Sequence, residues 1–274
     1  MDGRTEPSSR RGYVDLSWGQ IHYRERGAGE PVLLLHQTPA SSSMWERVMR
    51  AFPDGYRLLA MDTPGFGCSD APRVPDAGGL AWYAEQVVAV MECLGIERAS
   101  VVGHHTGAMI ATELAVTDPQ RVDKLVLIGM LAFRTTLQRH WWLNQVKRWQ
   151  PDATGDFLET SALPFLRAVV TRDDPVQFLD SLVAYLQAGP NYWWAYDAVF
   201  AYDTIARAPA VSAPTLLLVG DREVADMIAM TADLEDVIPN SRFETLVGGT
   251  TEVAMEEPQL VAETVADFLR SGGV

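Results

Sequence analysis

Cysteine is almost missing from this chain. Two residues, Cys68 and Cys93, among 274 give no disulfide framework, and a reducing, cytoplasmic setting is expected. Histidine is nearly as scarce, with five in all: His22, His36, His104, His105 and His140. None lies beyond residue 140. Positive charge is short too, since 22 Lys and Arg face 36 Asp and Glu for a formal charge of −14. Such a surface repels phosphate backbones and anionic lipid, so neither nucleic acid nor a membrane surface is an expected partner. The longest nearly apolar run, Leu125–Phe133, falls well short of the roughly 18 residues a membrane span needs. The opening Met1–Glu6 has no apolar stretch of the kind a secretion signal carries, so none is expected. No G-x-G-x-x-G or P-loop pattern follows the early strands, and no nucleotide or other cofactor is expected.

What the chain does have is a series of short apolar runs: Pro31–His36, Tyr56–Asp62, Ala99–Gly103, Lys124–Gly129 and Pro214–Gly220. They lack polar alternation, the pattern of strands covered on both faces in a parallel sheet. Leu80–Leu94 and Thr106–Val116 place apolar residues three and four apart, as helices do. Strand and helix therefore alternate, which predicts an α/β chain with a doubly wound sheet. Tyr13–Arg26, ending in Gly27-Ala28-Gly29, reads as an antiparallel hairpin at the sheet edge. From about Ala132 to Ala208 the pattern breaks into an aromatic-rich stretch with no buried-strand run. That stretch predicts several helices, either a second helical core or a lid over an apolar pocket. The expected organisation is a core of residues 1–131 and 209–274 with a helical cap at 132–208.

Gly103-His104-His105-Thr106-Gly107 follows a buried strand and opens a helix. This is the setting of a nucleophile elbow, where glycines clear room for a sharp turn that presents the central side chain. Four further segments keep it company: His36-Gln37-Thr38-Pro39, Asp62 to Asp70, Gly220-Asp221-Arg222-Glu223, and Gly248-Gly249-Thr250-Thr251-Glu252 with Glu256 and Pro258 behind it. In this order the chain resembles the α/β-hydrolase superfamily over nearly its whole length. The resemblance implies an α/β-hydrolase fold with an inserted helical cap. The segments then correspond to its oxyanion loop, its D-x-x-G-x-G-x-S-D turn, its acid loop and its histidine loop.

The residue types at the chemical positions differ from that family. His105 stands where the serine nucleophile is expected, and Thr251 where the histidine is expected, with Glu252 beside it in the vacated space. Gln37 replaces the glycine of the oxyanion loop. The acid position is filled by Glu223, with Asp221 as a second candidate. One reading is an inactive, ligand-binding fold. The other is an imidazole moved onto the elbow, where His105 acts as general base, Glu223 or Asp221 orients it, and the N–H groups of Thr38 and Thr106 hold an oxyanion. Those elements suit cofactor-independent proton chemistry beside a carbonyl, as in lyases, isomerases and cyclases. Hydrolysis with an altered nucleophile is the alternative. The expected ligand is a small-to-medium apolar carbonyl compound, met by His36, Gln37, His140, Trp141 and Thr251. His36 either braces the loop or contacts the ligand, and His104 should point away from the pocket because strand neighbours alternate. His36, His105 and Glu223 have ligand types that suit zinc or iron. They come from three loops without a recognised spacing, and no metal is expected.

Overall fold

The structure, a computed structural model, describes residues 9–72, 79–146, 148–170 and 172–271. Met1–Glu6, where no secretion signal was read, lies outside the described residues. The strands are β1 (Arg10–Leu16), β2 (Gly19–Gly27), β3 (Glu30–Leu35), β4 (Tyr56–Met61), β5 (Ala99–His104), β6 (Val122–Ile128), β7 (Thr215–Gly220) and β8 (Ser241–Leu246). They form one sheet in the order β1-β2-β4-β3-β5-β6-β7-β8. The β1–β2 hairpin and its junction with β4 are antiparallel, and every later pairing is parallel.

The helices are α1 (Glu46–Ala51), α2 (Gly79–Cys93), α3 (Thr106–Thr117), α4 (Thr136–Gln145), α5 (Leu163–Val169), α6 (Pro175–Ala188), α7 (Tyr192–Ala201), α8 (Thr204–Arg207), α9 (Ala225–Ala232), α10 (Val253–Glu256) and α11 (Pro258–Arg270). Among the described residues no helix is long and apolar enough to cross a membrane. The unalternated strands have a simple cause. Leu33 and Leu35 of β3 face a core shared with α2 and α3, while Val32 and Leu34 face a second core shared with α1 and α11. Both faces are covered, so both sets of positions must be apolar.

The chain runs from β3 to β4 on one side and then crosses to β5 on the other. That change of direction opens a crevice beyond the carboxyl ends of β3 and β5, the usual place for a site in an open α/β sheet. Helices α4 to α8 fall between β6 and β7. They are tied to the sheet at one end by Glu113 of α3, which accepts from Tyr202 Oη at 2.8 Å and Arg207 Nη2 at 2.7 Å. At the other end Arg47 of α1 meets Asp174 at 2.9 Å.

Asp62, just past β4, explains its motif. One carboxylate oxygen accepts the Ser42 N–H at 2.6 Å, and the other meets the His22 ring and the Cys68 N–H, each at 2.8 Å. A Cβ on Gly67 would overlap that carboxylate. Burial pushes the Asp62 carboxyl up, but the His22 hydrogen bond, the nearby His36 ring and the two N–H groups together bring it down to about 2. Asp62→Asn is expected to cost about 3 kcal/mol, read from denaturant midpoints, because a buried charged partner is lost. A depressed carboxyl stabilises above its ordinary value and loses that contribution as pH falls through its folded value. The deficit of the variant should therefore shrink as pH drops from 4 towards 2.

Candidate active site

His105 occupies the turn between β5 and α3 with φ 47° and ψ −109°. It is the one non-glycine residue with positive φ among the described residues. Strain of this kind costs about 1–3 kcal/mol and persists only where the surroundings enforce it. Here the surroundings are close backbone contacts. A Cβ on Gly103 would overlap the Gly107 backbone, and one on Gly107 would overlap the Leu35 carbonyl. The His105 N–H donates to the Ile128 carbonyl at 2.8 Å, which locks the turn to β6.

The turn presents the imidazole to the crevice. Its Nε2 lies 3.3 Å from Glu223 Oε2, and its edge packs on Gly129, where a Cβ would overlap the ring. Among the described residues Nδ1 of His105 has no hydrogen-bond partner. Glu223 is buried, and its Oε1 accepts from the Thr251 hydroxyl at 2.6 Å and the Val224 N–H at 2.9 Å. Burial raises the Glu223 carboxyl, but His105, by hydrogen bond and charge, then Thr251 and Val224 outweigh it and leave it below the usual range. Glu223 is thus an ionised carboxylate facing the ring.

Thr38, Thr106, Gln37, Trp141 and Thr251 all line the same cavity as His105 and Glu223, whose volume is about 740 Å³. Neither the Thr38 nor the Thr106 N–H donates within the described backbone, as a first-turn helix position and a tight loop allow. Three expectations are corrected. Asp221 is exposed and accepts the Gly248 N–H at 2.7 Å, so it joins the loops after β7 and β8 from outside the cavity. His36 is not a ligand contact: its Nδ1 meets the Gln37 carbonyl at 2.8 Å and its Nε2 accepts the Thr63 N–H at 2.9 Å. Burial depresses its pKa against the pull of Asp62, and the ring braces the loop. His140 is exposed on α4 and absent from the cavity wall, whereas its neighbour Trp141, itself half exposed, reaches the edge of the cavity. His104 is buried with its ring 6.4 Å from that of Trp45, away from the cavity.

The aromatic helices divide between two jobs. Trp149 stacks with Phe157, Tyr185 and Tyr192 in a packed cluster. Trp141, Trp142, Phe165, Tyr196 and Phe200 line the cavity. Sequence periodicity cannot separate these sets, since packing against a neighbour and lining a cavity select the same aromatic residues. Tyr196 Oη donates to the Thr38 carbonyl at 2.9 Å, tying the aromatic wall to the loop after β3. Gln177 of α6 is 2% exposed, and among the described residues neither of its amide atoms nor the Ser181 hydroxyl one turn on has a partner. Both line the cavity.

Glu252, expected in the vacated histidine space, has a defined partner there. Its carboxyl is buried in the cavity wall, where Oε1 accepts from Gln37 Nε2 at 2.8 Å. The signal was its place, directly after the residue that replaces the expected histidine. Among the described residues, potential metal-ligand atoms gather in one cluster: His22, Asp62 and Cys68. The Asp62 carboxylate there already serves the fold.

Comparison with known proteins agrees with this fold. The sequence profile of the family described as alpha/beta hydrolase fold matches residues 30–258. A 2-hydroxy-6-oxo-6-phenylhexa-2,4-dienoate hydrolase from Comamonas testosteroni is 37% identical over 132 residues, covering 47% of this chain and 46% of that protein. The aligned part thus spans less than half of that relative's length. Epoxide hydrolase 1 from Caenorhabditis elegans is 24% identical over 94% of this chain and 69% of that protein. Among solved structures, a hydrolase from Pseudomonas aeruginosa superposes with a TM-score of 0.81 at 24% identity, over 95% of this chain and 98% of that one. The enol-lactonase from Burkholderia xenovorans superposes with a TM-score of 0.77 at 21% identity, over 95% of this chain and all of that one.

Proposed function

This chain belongs to the alpha/beta hydrolase fold family, and from that premise we propose that it hydrolyses a small-to-medium, largely apolar carbonyl compound without a cofactor. The substrate class is an ester, a lactone or a ketone whose neighbouring C–C bond is cleaved. His105 is the general base and Glu223 orients it. The N–H groups of Thr38 and Thr106 hold the oxyanion, and the helices at 132–208 close over the core as a lid. In this reading no serine takes part at the elbow and no histidine in the last loop. The observation that carries it is the contact of His105 Nε2 with a buried, ionised Glu223 at a strained turn. With Nε2–H turned to the carboxylate, Nδ1 keeps a lone pair for a water proton. The named relatives are hydrolases, which favours addition of water over the lyase, isomerase or cyclase reading. Gln177 and Ser181 make the ligand not wholly apolar, since buried unpaired polar atoms call for a partner.

The test is turnover of activated aryl esters of several acyl lengths, followed together with intact-protein mass, for the wild type beside His105→Ala. Turnover lost in the variant, without an acyl adduct on the wild type, supports general-base hydrolysis. An adduct on His105 makes the imidazole a nucleophile instead. No turnover and no adduct overturns hydrolysis and returns the site to proton abstraction from carbon. A companion variant probes the support of the ring. Gly129→Ala would place a methyl in the space of the imidazole at a residue with φ +64°, breaking the contact with Glu223. Its expected effect is a fall in kcat of about 10- to 100-fold, read under saturating ester, because misplaced catalytic groups lose rate at this scale.

A further inference from the structure

Glu252 is held where a second proton-transfer group is useful. It leaves the loop between β8 and α10 and reaches Gln37 of the oxyanion loop, so it touches two of the three loops that frame the reacting carbonyl. Its side chain is buried, it lines the cavity, and its Oε2 has no partner among the described residues. The Oε1 of Gln37 is also buried and unpartnered. An amide that gives its N–H to one carboxyl oxygen leaves the other free to point a proton at a ligand. The neighbouring Thr251 cannot do this work, because its hydroxyl is committed to Glu223 at 2.6 Å.

We propose that Glu252 is the general acid of this site, a buried carboxyl positioned by Gln37 that protonates the departing oxygen of the substrate. The proposal rests on the hydrolytic reading above. Water gives a proton to His105 as its oxygen bonds to the carbonyl carbon, and the carbonyl electron pair moves onto the oxyanion. When that pair returns, the bond from carbon to the leaving oxygen breaks, and this oxygen takes the Glu252 proton. The imidazolium and the carboxylate left behind are restored by proton exchange through solvent, so an ester and water give an acid and an alcohol. His105 does not have to carry its proton across the carbonyl plane, and the elbow position makes that economy useful.

The electrostatic surroundings agree. Burial pushes the Glu252 carboxyl up, the Gln37 hydrogen bond pulls it down, and the like charges of Glu256 and Glu223 push it up again, to about 8. From α7, Tyr196 faces it as a neutral phenol whose pKa is raised by burial. Arg172 lies 3.4 Å from Glu256 and 2.5 Å from Glu257, so its charge is spent on those carboxylates.

The experiment compares p-nitrophenyl and simple alkyl esters of the same acid in wild type, Glu252→Gln and Glu252→Asp, with full pH profiles. A nitrophenolate leaves without help, whereas an alkoxide needs a proton. The expected result is that Glu252→Gln slows the alkyl ester at least tenfold more than the nitrophenyl ester and removes the alkaline fall in rate near pH 8. Glu252→Asp should recover part of the alkyl-ester rate. Equal slowing of both esters, or an unchanged alkaline limb, overturns the acid role and leaves Glu252 a packing group. If the wild type turns over neither ester, the hydrolytic reading fails and takes this proposal with it. Turnover that needs His105 but ignores the leaving group in Glu252→Gln removes only the acid.

Discussion

His105→Ala is expected to lower kcat/KM for aryl esters by about a thousandfold or more, which is roughly 4 kcal/mol of transition-state stabilisation. What remains should be the contribution of the oxyanion N–H groups and binding, which alanine leaves in place. The same position makes a second, opposite forecast about stability. With φ at 47° and ψ at −109°, His105 sits where a Cβ is penalised. Glycine adopts such a conformation without that penalty, although it loses about 0.5–1 kcal/mol through greater freedom in the unfolded chain. Against strain of about 1–3 kcal/mol, His105→Gly should be more stable than His105→Ala by about 1 kcal/mol, while being equally inactive. Paired denaturant titrations and ester assays check both halves. A glycine variant no more stable than the alanine variant would mean the turn is not strained, and the argument that function maintains it would lose its physical ground.

The sheet was legible because burial on both faces leaves a mark. The apolar runs at Pro31–His36, Tyr56–Asp62, Ala99–Gly103, Lys124–Gly129 and Pro214–Gly220 became β3 to β7 with no end shifted by more than two residues. Strand β8 left no such mark. Its residues Ser241 to Thr245 are half-buried or exposed, since an edge strand covered on fewer sides tolerates Arg242 and Glu244. At the site, the glycine spacing around His105 identified the turn, because only residues without a Cβ fit those backbone approaches. The choice between Asp221 and Glu223 was not legible. Both lie on one short loop, and only its folded path decides which carboxylate turns inward. The division of the aromatic helices was hidden for a related reason: packing against a neighbour and lining a cavity demand the same residue types. Gln37 and Glu252 are 215 positions apart, and no local pattern relates them.

Above pH 8 Glu252→Gln is expected to be more stable than the wild type by about 5 kcal/mol, although the same change slows the chemistry proposed for it. The folded carboxyl holds its proton up to about pH 8, against 4.5 for an unperturbed glutamate. A group whose value is raised by folding contributes stability that is complete below its unfolded value and is lost as pH rises through its folded value. The wild type should therefore weaken between pH 4.5 and 8, as a buried carboxyl is forced towards ionisation beside Glu223 and Glu256. Each unit of difference amounts to about 1.4 kcal/mol. Glutamine keeps an oxygen to accept from Gln37, presents N–H in place of O–H, and never ionises. Its advantage should be near zero at pH 4.5, grow with pH, and level off above 8. Thermal or denaturant unfolding of both proteins across that range decides the matter. A constant difference at every pH would show that Glu252 is already ionised in the folded chain, leaving the cavity without a neutral acid and the leaving oxygen without a proton. A difference that grows as expected would mean that the fold holds a destabilising carboxyl dry beside the oxyanion loop, a cost that packing alone does not require.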